Sequence, residues 1–216
     1  MATLFTVISL CALVGLLAAE HRADREGVFL FKPIASVGFL GVGASLLNSA
    51  HRAFGLAVLL GLVFAAAGDV ALMFRGKRSF LVGLNLFLAG HLAYAVAVQR
   101  ELPIGSWGGA AAVGPPLISF AVLAWLWPRL GAMRGAVVVY GVVITVMVVG
   151  AVAFATSARV SFSDGARLRF AVGALSFYAS DFAVARERFV HRSFVNRAWG
   201  LPAYYVGQLL IASSLA

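Results

Sequence analysis

The stretch VVVYGVVITVMVVGAVAF, residues 137–154, decides the fold class of this chain. It is apolar on every face of a helix, whereas a strand of a membrane β-barrel alternates apolar and polar residues over about 10 positions. A bilayer core near 30 Å thick needs about 20 apolar residues per helix, and about 17 to 25 are acceptable. The stretch therefore predicts a membrane-spanning helix.

The same criterion divides the rest of the 216-residue chain into apolar segments with short loops between them. Hydrophobic residues make up 62% of the chain and charged residues 12%, which excludes both a water-soluble domain and a disordered chain. We predict an all-α, polytopic membrane helical bundle that forms a single domain over residues 1–216. Its eight transmembrane helices are expected at residues 3–19, 28–47, 54–74, 79–98, 108–127, 135–156, 168–185 and 199–216.

The net charge of +9 comes from basic residues that lie almost wholly in the loops between these segments. Because the loops are short and adjoin the membrane, anionic lipid headgroups rather than nucleic acid are their expected partners. The odd-numbered loops carry 11 Lys and Arg residues and the even-numbered loops carry 5, which predicts odd loops in the cytoplasm and both termini outside. The odd-loop residues are Arg22, Arg25, Arg75, Lys77, Arg78, Arg129, Arg134, Arg186, Arg188, Arg192 and Arg197.

The first apolar segment, residues 3–19, has no Lys or Arg ahead of it, and a secretory signal needs such a residue. We therefore expect a retained helix. The single cysteine, Cys11, lies inside this segment, so no intrachain disulfide is expected.

Three charged residues lie inside the predicted spans, namely Lys32, Asp69 and Asp181. A charge near the centre of a spanning helix costs at least about 2.5–3.5 kcal/mol, so each one calls for a partner or a task. His91 is the only histidine within a span. Further polar side chains within the spans belong to Asn85, Ser180, Tyr204, Tyr205 and Gln208.

Helix direction and a rise of 1.5 Å per residue place most of these groups at one depth, about 6–9 Å below the cytoplasmic boundary. This coincidence across five helices favours a polar pocket that opens toward the cytoplasm. Structural readings stay open for single residues. Lys32 could extend to the headgroups, the two aspartates could form structural ion pairs, and His91 could join two helices by a hydrogen bond.

Five short motifs in chain order carry a resemblance to a known family. They are Phe31-Lys32-Pro33 (F-K-P), residues 68–72 (G-D-x-x-L), residues 80–94 (F-x-x-G…F…H-x-x-Y), residues 173–181 (G-A-x-x-F-x-x-S-D) and residues 204–211 (Y-Y-x-x-Q-x-L-I). The sequence thereby resembles the YhhN-like lysoplasmalogenase family from the second helix to the C-terminus, with little contribution from helices five and six.

The resemblance implies a multi-pass membrane hydrolase that cleaves the vinyl ether bond of lysoplasmalogens. For a bacterial protein, the expected location is the inner membrane. The products would be a fatty aldehyde and glycerophosphoethanolamine or glycerophosphocholine. Residue by residue, it implies Asp69, Asp181 and His91 as catalytic groups, with no cofactor and no metal. The implied substrate-binding residues are Lys32, Asn85, Ser180, Tyr204, Tyr205 and Gln208.

Two other classes stay open at this point. A small lipid or solute transporter fits the glycine-rich spans, and Gly68-Asp69 and Ser180-Asp181 before basic loops fit a tandem duplication, although Lys32 has no counterpart in helix six. Transporters commonly bind substrate near the midplane, however, and this polar layer is displaced toward one leaflet. A structural protein without chemistry would show scattered acids. One histidine and two aspartates support a metal site only weakly.

Overall fold

The computed structural model describes residues 1–74 and 76–216, with the backbone alone for residues 110 and 111. The described chain is helical and contains no strand, which confirms the all-α prediction. Arg75, one of the predicted third-loop basic residues, lies outside the described part. The helices are α1 (Ala2–His21), α2 (Arg25–Leu46), α3 (Arg52–Met73), α4 (Lys77–Glu101), α5 (Gly114–Leu126), α6 (Arg134–Thr156), α7 (Asp164–Phe189) and α8 (Phe194–Ser213).

Within the described residues, six helices are long and apolar enough to cross a membrane: α1, α2, α3, α4, α6 with the turn before it, and α7. The chain is thus an integral membrane protein. Helix α8 has 20 residues, but Asn196, Arg197 and Gln208 reduce its apolar character. Helix α5 has only 13 residues and is about 20 Å long, short of a bilayer core near 30 Å.

The fifth segment differs most from the sequence-based expectation, because residues 108–127 do not form one helix. A short 3-10 turn, Gly109–Ala112, comes first, and α5 begins only at Gly114. Pro115 and Pro116 occupy its first turn. Proline starts a helix readily because the backbone N–H that it lacks has no partner there in any case.

Several helices also extend beyond their apolar cores, because polar residues cap them outside the predicted spans. The Asp24 side chain accepts hydrogen bonds from two backbone N–H groups in the first turn of α2, at 3.1 and 3.2 Å. Ser163 and Ser193 cap α7 and α8 in the same way. Capping satisfies N–H groups that have no partner within the helix. The helices therefore start three to five residues earlier than apolar runs alone indicate.

Two glycine crossings bring the functional helices together. A Cβ at Gly173 of α7 would lie 2.7 Å from the carbonyl oxygen of Gly207 in α8, and a Cβ at Gly207 would lie 2.9 Å from that of Gly173. Any larger residue would push the two backbones apart. Gly90 of α4 similarly lies against Gly61 of α3. These close contacts hold α3 and α4, and α7 and α8, as tight pairs around the site.

Candidate active site

A cavity of about 540 Å³ opens at the end of the bundle that carries the connections α1–α2, α3–α4 and α7–α8. This is the end that the basic-residue count predicts to be cytoplasmic. Helices α2, α3, α7 and α8 each contribute polar side chains to its wall. Among the nine residues proposed from sequence, the cavity is lined by Lys32, Asp69, Ser180, Asp181 and Tyr204.

Asp69 is held by three donors from two other helices. Lys32 Nζ of α2 lies 3.1 Å from Asp69 Oδ1, and both side chains are buried. The Ser36 hydroxyl donates to Oδ2 at 3.0 Å, and the Tyr205 hydroxyl donates to the same oxygen. Lys32 therefore forms a buried ion pair instead of extending to the headgroups. Hydrogen bonds to an ionised carboxylate are stronger than those between neutral groups, so these three donors fix the Asp69 carboxylate firmly in place.

Asp181 has different partners, which lie on two other helices, α4 and α6. The Tyr140 hydroxyl of α6 donates to Asp181 Oδ2 at 3.0 Å. His91 Nε2 of α4 lies 3.2 Å from the same oxygen and 3.0 Å from the Tyr140 hydroxyl. Both contacts use Oδ2, and Oδ1 has no hydrogen-bond partner among the described residues. Asp181 and His91 can therefore share a proton while one carboxyl oxygen stays available to a ligand.

The two carboxyl groups thus belong to separate hydrogen-bond networks that face one cavity. Its inner end is closed by aromatic rings packed edge to face. The Tyr204 ring lies 5.7 Å from that of Phe87 and 5.4 Å from that of Phe177. The Tyr204 hydroxyl donates to the Ala65 carbonyl at 3.0 Å, which satisfies its polar atom. An apolar inner end limits water, and electrostatic interactions strengthen as water is excluded.

His91 and Tyr205 do not line the cavity but support its wall. The His91 ring lies 4.3 Å from the ring of Phe177, and its second nitrogen, Nδ1, is buried without a partner among the described residues. Tyr205 is fully buried, and its hydroxyl bonds to two residues that line the cavity, donating to the Asp69 carboxylate and to the Lys32 carbonyl. Ser180 lines the cavity, although its hydroxyl donates within its own helix to the Phe177 carbonyl at 2.7 Å.

The structure does not bring Asn85 or Gln208 to the cavity. Asn85 is exposed and donates to the Leu81 carbonyl of its own helix at 2.8 Å. It lies about 140° around α4 from Phe80, which lines the cavity, so depth alone gave the wrong face. Gln208 accepts from the Tyr94 hydroxyl at 2.6 Å in the interior, where it joins α8 to α4.

Sequence reasoning missed two residues that hold the aspartates, Tyr140 and Ser36. Tyr140 belongs to the apolar run that decides the fold class, and one hydroxyl group does not change the apolar character of that run. It lies six residues after the start of α6, about 9 Å along the helix axis. That depth matches the polar layer and could have identified it. Ser36 follows Lys32 by one helical turn and so shares its face.

Basic side chains surround the mouth of the cavity. Arg197 Nη1 donates to Glu20 Oε2 at 2.6 Å, so its charge is already paired. Arg188 lies over the Phe80 ring at 4.6 Å. Arg188 and Arg192 pair with no carboxylate in the described part of the chain. Their guanidinium groups suit a phosphate, which they can bind with two parallel hydrogen bonds.

The described residues contain no group of three or more His, Cys, Asp or Glu side chains placed to hold a metal ion. The arrangement instead offers a proton-sharing pair, a buried anion and free cations at the mouth. Such a set can protonate a neutral substrate and stabilise the cation that forms.

Comparison with known proteins identifies a matching family and several curated relatives. The YhhN family model matches residues 27–215. Over 162 residues, the chain is 32% identical to lysoplasmalogenase TMEM86A of Bos taurus, and over 160 residues it is 32% identical to lysoplasmalogenase TMEM86A of Homo sapiens. Each alignment covers 73% of this chain and 64% of the relative.

The chain thus spans about 64% of the length of the curated relatives that it matches. No solved structure shows a significant match to it. The family model covers nearly all of α2 to α8, which includes all the helices that contribute to the cavity wall apart from α1. The chain belongs to the YhhN family.

Proposed function

We propose that this protein is a membrane hydrolase that cleaves the vinyl ether bond of lysoplasmalogens to a fatty aldehyde and glycerophosphoethanolamine or glycerophosphocholine. The observation that carries the proposal is the pair of aspartates, held by different partners, that face one cavity. The two curated relatives are enzymes by name, which favours a hydrolase over a transporter. We infer that all eight helices form one membrane domain over residues 1–216.

The reaction begins with a proton transfer to carbon. The Asp181–His91 pair transfers it to the β-carbon of the vinyl ether, and the carbon–carbon π electrons form the new C–H bond. The α-carbon and the ether oxygen then share the positive charge of an oxocarbenium ion. Water adds to the α-carbon and returns a proton to Asp181. The resulting hemiacetal breaks its bond to the glycerol oxygen, which takes up the hydroxyl proton, and releases the aldehyde.

Asp69 is suited to stabilise the oxocarbenium ion as a fixed negative charge. Lys32, Ser36 and Tyr205 hold its carboxylate in place before the substrate arrives, so the site needs little rearrangement. The two acids then divide their roles, as the paired carboxylates of glycosidases do. In this scheme Asp181 and Asp69 are catalytic, His91 acts through Asp181, and Lys32 and Tyr205 act through Asp69.

The substrate headgroup fits the mouth of the cavity. Because Lys32 is committed to Asp69, we assign the lipid phosphate to Arg188 and Arg192. Ser180 and Tyr204 line the same cavity, Tyr204 at its inner end, and we assign them contacts with the bound lipid. Asn85 and Gln208 have no part in substrate binding in this scheme, because neither lines the cavity.

The proposed function is tested by turnover of a lysoplasmalogen by the purified protein in mixed micelles, with a saturated alkyl-ether lysolipid as the control. The saturated ether has no alkene to protonate, so we expect cleavage of the vinyl ether only. A chelator should leave the rate unchanged, since the ligand set for a metal is poor. Cleavage of both lipids at similar rates would exclude the mechanism, and lipid transport in sealed vesicles without turnover would support the transporter.

Tyr140→Phe should lower kcat because it removes one hydrogen bond to Asp181 and one contact with His91. A hydrogen bond to a charged group contributes about 1.5–3 kcal/mol, which corresponds to about 10- to 150-fold in rate. The matched control is Tyr94→Phe, which removes a buried hydroxyl bonded to Gln208. Equal activity losses in the two variants would mean that Tyr140 has only a structural role.

We also propose an orientation with both termini outside an inner membrane, so that the cavity opens to the cytoplasm. In a Cys11→Ala background, a cysteine at Ser106, in the exposed α4–α5 connection, should react with an impermeant thiol reagent in intact cells. A cysteine at Lys77, in the exposed first turn of α4, should react only after permeabilisation. The reverse pattern would invert the orientation.

A further inference from the structure

A second cavity, of about 350 Å³, lies between α4, α5, α6 and α7 and is almost wholly apolar. It meets the polar cavity at a common wall, since both are lined by Leu72, Phe80, Phe87, Asp181 and Val184. Asp181 therefore faces a polar space on one side and an apolar groove on the other. The proposed mechanism assigns no ligand to this groove.

We propose that the apolar groove binds the hydrocarbon chain of the lysolipid and thereby places its vinyl ether bond beside Asp181. This inference rests on the proposed hydrolase function and adds the substrate's position. The headgroup occupies the polar cavity with Arg188 and Arg192, and the chain lies in the groove along α6. Asp181 is the charged residue where the two spaces meet, which is where the polar and apolar parts of a lysolipid are joined.

The dimensions of the groove suit a single chain within one leaflet. On α6 it is lined by residues from Val137 to Val146, which span about 14 Å. Half of a bilayer core near 30 Å is about 15 Å. A volume of about 350 Å³ lies at the low end of the range for small-molecule sites, about 300–1,000 Å³. The groove therefore favours a lipid with one chain over a lipid with two.

The groove also offers an entrance from the bilayer. Phe120 of α5 and Val142 of α6 line it and are 72% and 57% exposed, so its outer edge meets the lipid phase. The hydroxyl groups of Ser119, Thr145 and Tyr178, which line the groove, form a hydrogen-bonded cluster. Ser119 Oγ lies 2.6 Å from Thr145 Oγ1 and 2.5 Å from the Tyr178 hydroxyl. Since these polar atoms are already satisfied, the wall presents apolar surface to a chain and holds short α5 in place.

Substitution of Gly141 by tryptophan tests whether the groove holds the chain. Gly141 lines the groove on α6, and a Cβ built on it would meet no described atom of another helix within 4 Å, so a tryptophan can be introduced there without a clash at its Cβ and would take up groove space. Gly135 of the same helix also has open space around it, is exposed and lies outside the groove, which makes Gly135→Trp the matched control. One methylene lost from an apolar pocket costs about 10- to 200-fold in specificity.

We expect Gly141→Trp to raise KM for a long-chain lysoplasmalogen at least about tenfold while a short-chain lysoplasmalogen keeps its wild-type kinetics. Gly135→Trp should change neither substrate. Unchanged long-chain kinetics in Gly141→Trp, or an equal loss for both chain lengths, would overturn the groove assignment and leave the hydrolase function standing.

A second measurement does not depend on turnover. An uncleavable alkyl-ether lysolipid with a diazirine near the end of its chain should cross-link to α5 or α6, and long-chain lysoplasmalogen should compete. Such cross-linking in a protein without vinyl ether hydrolysis would support the groove and refute the proposed function. Cross-linking elsewhere, or competition by diacyl phospholipid as strong as by lysolipid, would show that the groove holds bulk lipid and overturn the proposal.

Discussion

Asp181→Asn is expected to lower kcat for a lysoplasmalogen by about 10²–10⁴, the usual contribution of a positioned proton-transfer group. Asparagine keeps the shape of the side chain and can still accept from Tyr140, but it cannot donate an acidic proton. The fold should therefore survive. KM should change far less than kcat, because the loss falls on the chemical step rather than on lipid binding.

The matched control is Asp164→Asn, which makes the same change in the first turn of the same helix. The Asp164 side chain is 93% exposed and does not line either cavity. This variant should retain full activity. Full activity in Asp181→Asn as well, with a folded protein, would move the proton donor to another residue. Asp69→Asn should also lose activity, since it removes the negative charge beside the oxocarbenium ion.

The second large effect is on stability. Lys32→Met should lower the free energy of unfolding by about 3–5 kcal/mol, because it leaves Asp69 as a buried charge without its counterion. The double variant Lys32→Met with Asp69→Leu should recover much of that loss, since two apolar side chains need no partner in the interior. Unfolding in mixed micelles, followed by circular dichroism against denaturing detergent, measures both.

Lys77→Met is the control for removal of a lysine. Lys77 is exposed at the start of α4 and forms no ion pair with the described residues, so its loss should leave stability close to that of the parent protein. If Lys32→Met is no more destabilised than Lys77→Met, the Lys32–Asp69 pair contributes nothing to the folded state. Asp69 would then lack the fixed anionic character that the mechanism needs.

The convergence of Lys32, Asp69 and Asp181 was predictable because charges in apolar helices are costly and their depth follows from position along the helix. Depth does not give the direction in which a side chain points. Asn85 shares the depth but faces away from the cavity, and the partner of each aspartate depends on how the helices are rotated.

The eight helical segments were also predictable, because apolar runs of sufficient length mark them. The short α5 was not, although Pro115 and Pro116 carry a signal for its start that hydropathy ignores. Helix α8 shows the opposite limit. Its polar side chains reduce the apolar character that marks a span, yet Tyr204 and Tyr205 are buried against the site.

Hydrolysis in D₂O, with the aldehyde reduced to the alcohol as it forms, tests proton transfer to carbon most directly. If Asp181 and His91 protonate the β-carbon of the vinyl ether, each product chain must carry a single deuterium on the carbon next to the former aldehyde carbon. Its formation should slow in Asp181→Asn. Product chains without deuterium at that carbon, released at the wild-type rate, would contradict protonation of the alkene as the first step.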